Sequence, residues 1–182
     1  MSEENLLSIA GLLSFFLGTI SLYIVYRSNH LKWNEKAAGY ILAWIFLSKS
    51  IAYPCDAYVL QITDGATNFV PPWEYFYALS NLTNMLFMPL CFALSLVFPV
   101  SVVRTGRQLK IAILVFILLV VHRVIVFVSV GASPLELIGL EYILTTIIWT
   151  SNYVHFKIKN LYEPDEGHGR IANLSALLLM LH

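Results

Sequence analysis

Seven polar side chains stand inside otherwise apolar stretches of this sequence: Lys49, Asp56, Asn81, Asn84, His122, Arg123 and Glu141. Ionisable groups in such surroundings are costly, face bundle interiors or water-filled cavities, and mark ion, proton or ligand paths. Lys49 and Arg123 are cations in need of anions, which Glu141 and Asp56 can supply; Asn81 and Asn84 can both donate and accept. The chemistry open to this set is binding and charge compensation. Two readings stand side by side. One is a charge-satisfied packing layer, or cations snorkelling to the outer interface. The other is a ligand, ion or proton site opening outward. Soluble-enzyme signatures are missing: there is no phosphate loop, dinucleotide fingerprint, H-E-x-x-H or G-x-S-x-G. No catalytic residue, cofactor or metal ligand set is assigned; His168 beside Asp165 and Glu166 reads as part of a solvated loop.

The elements that position these residues follow from composition. Of 182 residues, 58% are hydrophobic and 12% charged, and the mean hydropathy is +0.73. Soluble domains carry about 25% charged residues, so this surface needs lipid as its solvent. Zero net charge leaves no electrostatic footprint for nucleic acid. The expected fold is all-α, a polytopic transmembrane helical bundle with five full spans and a partial sixth. Helices are expected over 5–26, 37–60, 73–98, 108–130 and 134–156, with a partial one over 171–182. Pro54 either ends or kinks the second. Thr105–Gln108 and Ser133–Glu136 have the form of capping boxes and mark the fourth and fifth starts. Counted from the cytoplasmic edge at ~1.5 Å per residue, Lys49 and Arg123 lie roughly 20 Å deep. Asn81, Asn84 and Glu141 fall at roughly 21 to 26 Å. One layer therefore gathers polar groups from four helices. Its sharpest form is a single electrostatic unit in which Glu141 answers both Lys49 and Arg123.

Orientation comes from loop charge. Arg27, Lys32 and Lys36 follow the first helix, Arg104, Arg107 and Lys110 the third, and Lys157, Lys159 and Arg170 the fifth. The two opposite loops hold no Lys or Arg. The expected placement is a multi-pass protein of the cell membrane with its N-terminus outside. Cys55 and Cys91 lack metal spacing, fall at different depths and read as small apolar residues.

Three stripes describe helix faces. Asn81, Asn84, Met88, Cys91 and Ser95 recur at helical spacing on the third helix, and Glu141, Thr145, Trp149 and Asn152 on the fifth. Ser8, Gly11, Ser14, Gly18 and Ser21 form a small-residue stripe on the first, which permits close helix packing. The final apolar run, Ile171–Leu181, reaches only ~17 Å at helical rise. The expectation is a chain truncated inside a sixth helix.

The segment Leu90-Cys91-Phe92-Ala93-Leu94-Ser95-Leu96-Val97-Phe98-Pro99, with Arg104 and Arg107 after it, resembles the third-helix exit of N-terminal seven-helix sensor regions in prokaryotic signalling proteins, histidine kinases included. Asn160–Leu181 is similar to their fifth-to-sixth passage. The resemblance implies a receptor with its N-terminus outside, feeding a cytoplasmic signalling domain beyond the C-terminus. The expected function is accordingly a sensory or receptor module whose partners are the bilayer, a small-molecule or ion ligand, and that output domain. The rival classes are a fragment of a small-solute or ion transporter and a membrane-embedded enzyme, for which His155 and Asn152 are the inner-side candidates.

Overall fold

A computed structural model describes residues 2–63, 73–130 and 139–181. Six helices and no strand occur among the described residues: α1 Glu3–Arg27, α2 Trp33–Thr63, α3 Trp73–Val97, α4 Gly106–Val130, α5 Leu140–Tyr162 and α6 Glu166–Leu181. Glu3–Arg27, Tyr75–Val97 and Gly106–Ser129 are long and apolar enough to cross a membrane, with mean hydropathies of 2.0, 1.4 and 3.0.

Local chemistry sets the ends. At the start of α2 the backbone N–H of Lys32 donates to Glu35 Oε2 at 2.7 Å, so the helix begins at Trp33, ahead of Ala37. The Thr105–Gln108 capping box is formed: Gln108 Oε1 accepts from the backbone of Arg104 and Thr105, and Gln108 N donates to Thr105 Oγ1 at 3.3 Å. Pro54 does not end α2, which runs on to Thr63, and α3 likewise runs through Pro89.

The boundaries around α5 and α6 are also set locally. Gly139 is extended and α5 begins at Leu140; the expected start at 134 and the Ser133–Glu136 box lie outside the described residues. The same helix continues past Phe156 to Tyr162, since Lys157 and Lys159 suit a last turn whose dipole favours cations. Residues 166–170, expected as loop, form the first turns of α6, with Glu166 at its acid-favouring end and Arg170 reaching back to it at 3.0 Å.

The hub is α3, which packs against α2, α4 and α5; α1 packs chiefly on α2, and α6 on α5. A core of Ala38 and Ile45 from α2, Cys91, Leu94 and Val97 from α3 and Trp149 from α5 fills the centre, with Leu178 and Leu179 of α6 against it. The small-residue stripe does pack: Gly11, Ser14 and Gly18 are the buried positions that bring α1 onto α2, whereas Ser8 is exposed. By contrast, Ile113, Leu114, Ile117, Leu118, Val121 and Ile125 leave the outer face of α4 bare. A contiguous apolar face of this kind is what hydrocarbon solvates and water does not.

Candidate functional site

The polar residues of the spans resolve into two units. The first joins α2 to α3. Lys49 Nζ donates to Asn84 Oδ1 at 2.8 Å, Asn84 Nδ2 donates to Ser80 Oγ at 3.2 Å, and Ser80 Oγ donates to Asp56 Oδ1. The antiparallel helices make this possible. Lys49 and Asp56 are two turns apart on one face of α2, and Ser80 and Asn84 one turn apart on α3. The ammonium also lies 4.3 Å from the centre of the Phe87 ring and 5.7 Å from that of Tyr53, each a cation–π contact. The outcome is a hydrogen-bonded relay from a cation to an anion through two neutral side chains. Both charged ends are only half-buried, while Ser80 and Asn84 are buried.

The second unit joins α4 to α5. Arg123 Nε donates to Glu141 Oε1 in a salt bridge whose partners are 3% and 0% exposed. Gly139 lies against this pair, and a Cβ there would meet both the guanidinium and the carboxylate. One turn on, Thr145 Oγ1 donates to the Glu141 carbonyl at 2.6 Å, which holds the hydroxyl against its own helix.

The expected single unit therefore divides. Glu141 pairs with Arg123, and Lys49 reaches its anion, Asp56, by way of Asn84 and Ser80; no ion pair links Lys49 to Glu141 among the described residues. Asn81 is buried on α3 outside the relay, and its Nδ2 has no hydrogen-bond partner among the described residues. His122 is exposed. Successive helical residues turn by ~100°, so the burial of Arg123 sends its neighbour outward. Sequence reasoning does not single out Ser80, Phe87 or Tyr53. Ser80 carries a usable signal, since it stands one helical turn before Asn84.

Geometrically, the two units differ in what they can do. The Arg123–Glu141 pair is sealed and ties α4 to α5. The relay has accessible charged ends, so an anionic group can compete for Lys49, and a proton or cation for Asp56. Compared with protein-family models, curated proteins and solved structures, the chain matches none.

Proposed function

We propose that this chain is a sensory or receptor module of the cell membrane, with five full spans, a short sixth helix and its N-terminus outside. At ~1.5 Å per residue, the 31 residues of α2 and the 23 of α5 give roughly 46 and 34 Å, more than the ~30 Å of a hydrocarbon core. The observation that carries the reading is the relay, whose half-buried ends answer to a stimulus while its middle ties α2 to the hub α3. A group that displaces Asn84 from Lys49, or one that neutralises Asp56, breaks the tie. The resulting shift of α3 passes to α4 and α5 by direct packing, and from there to a cytoplasmic partner.

The orientation is tested by single cysteines in a background lacking Cys55 and Cys91. In sealed cells, a cysteine replacing Asp64 is expected to react with an impermeant reagent, and one replacing Thr105 only after permeabilisation. Reaction at both positions in intact cells would reverse the assignment.

The sensory reading is tested in proteoliposomes carrying spin labels at Lys36 and Arg107, the inner ends of α2 and α4. Asp56→Asn, which removes the anionic end of the relay, is expected to shift the label distance relative to the unaltered chain. Proton uptake into the vesicles that disappears in Asp56→Asn would instead make the relay a transport path. An unmoved distance with no uptake would remove the relay from function altogether.

A further inference from the structure

A second polar site lies at the opposite, basic end of the bundle. Where α3 ends, the chain turns back: Val102 N donates to the Leu96 carbonyl at 2.8 Å, and Ser101 Oγ to the Val103 carbonyl at 2.7 Å. That turn, the first turn of α4 and the inner half of α5 enclose a cavity of about 380 Å³ whose polar lining is Ser101, Arg104, Gln108, Asn152 and His155. A site of this size is large enough for a small ligand.

The donors in this cavity are of one kind. Arg104 offers a planar guanidinium with five N–H groups, a shape that matches phosphate oxygens. Asn152 lines the cavity, and its amide nitrogen is buried and without a hydrogen-bond partner among the described residues. Buried amide donors are normally satisfied, so a small side-chain turn that brings this amide to the cavity would give it an acceptor there. His155 adds a ring nitrogen one turn from Asn152 on the same face. No Asp or Glu among the described residues lines the cavity. The wall is fixed from behind: Trp149, three residues before Asn152, donates its Nε1 to the Phe98 carbonyl at 3.3 Å, pinning α5 to the end of α3. Gln108 is held by the cap it forms with Arg104 and Thr105, which sets the backbone at Arg104.

We infer that this cavity binds a phosphate group, with Arg104 and the Asn152 amide as its principal ligands and His155 as a third. The group can reach it from two sources. One is the headgroup of an anionic phospholipid of the inner leaflet, whose chains would follow the exposed Val102, Leu109 and Ile113 down α4. The other is a soluble phosphate. The site is independent of the relay between α2 and α3, and its ligands are not part of the proposed sensory chemistry.

The test uses the whole chain purified in detergent, with binding read by native mass spectrometry and by thermal shift. Three probes are compared: phosphatidylglycerol, phosphatidylcholine and inorganic phosphate. Binding of phosphatidylglycerol over phosphatidylcholine identifies the lipid source, and binding of inorganic phosphate the soluble one; either supports the site. Arg104→Gln and Asn152→Leu are each expected to weaken the bound probe about tenfold, the scale of one lost charge-assisted hydrogen bond. Arg107→Gln removes the same charge three residues away but lies outside the cavity, and is expected to change binding less than about twofold, as a rim charge would. Because Arg104 is exposed, its replacement leaves the packing intact and keeps the comparison valid if Asn152→Leu fails to fold. Equal losses in Arg104→Gln and Arg107→Gln would reduce the effect to general positive charge. That result, or binding of none of the three probes, overturns the inference.

Discussion

Glu141→Gln is expected to destabilise the bundle by about 3 to 5 kcal/mol, because it strips the counter-charge from a guanidinium that is 3% exposed. A lone cation in hydrocarbon costs at least about 2.5 kcal/mol on insertion scales. The substituted amide would still accept a hydrogen bond but would bring no charge, so most of that cost returns. Removing both partners is cheaper than removing one, since replacing a buried ion pair with apolar groups is often neutral. Arg123→Met combined with Glu141→Gln should therefore recover most of the loss. Lys49 sits in a separate network, so Lys49→Met combined with Glu141→Gln should give losses that add to within about 0.5 kcal/mol. Thermal unfolding in detergent, run as two double-mutant cycles, reads both. Coupling of Glu141 to Lys49 as strong as to Arg123 would contradict the division of the polar layer into two units.

The second large effect concerns α1. A Cβ at Gly11 would stand 2.8 Å from both Cδ and Cγ of the Pro54 ring, and one at Gly18 would stand 2.9 Å from Leu47 Cγ and 3.2 Å from the Ala43 carbonyl. Pro54 cannot rotate away, because its ring is closed onto the α2 backbone. Gly11→Val must then push the helices apart, and overpacking of this kind typically costs about 1 to 3 kcal/mol. Since α1 packs chiefly on α2, little else retains it. The expected result is a lowered unfolding temperature and earlier protease cleavage between Arg27 and Trp33. Leu13→Val, on the exposed side of the same helix, is the control and should leave both unchanged. Equal behaviour of the two variants would show that the small-residue face is not what holds α1.

Much of this architecture is legible in the sequence, for reasons that differ by residue. Hydropathy exposes α1, α3 and α4 because their outer faces are unbroken by charge. The start of α4 is legible because Thr105 and Gln108 form a local, reciprocal cap that needs no tertiary partner. Depth counting puts Arg123 level with Glu141 and Lys49 level with Asn84, and each pair meets, since helical rise is nearly constant. What counting along the chain cannot supply is azimuth relative to neighbouring helices. For that reason Glu141, expected to answer two cations, answers one, and His122, grouped by sequence with Arg123, turns outward. Ser80 escapes because a serine in a helix is commonplace until an aspartate on the next helix faces it. The charged end of α5 reads as loop because Lys157, Lys159 and Asn160 break the apolar pattern, although charges at a membrane edge are compatible with a continuing helix.

The pairing of charges has an electrical consequence. Lys49 with Asp56, and Arg123 with Glu141, each add to zero formal charge, and proton transfer within either set leaves the sum unchanged. A transmembrane potential does work of about 2.3 kcal/mol per elementary charge for each 100 mV only on net charge that crosses the field. If α2 and α3, or α4 and α5, move as joined pairs, the positive and negative contributions cancel and the gating charge is close to zero. Rigid motion of such pairs is then nearly insensitive to voltage.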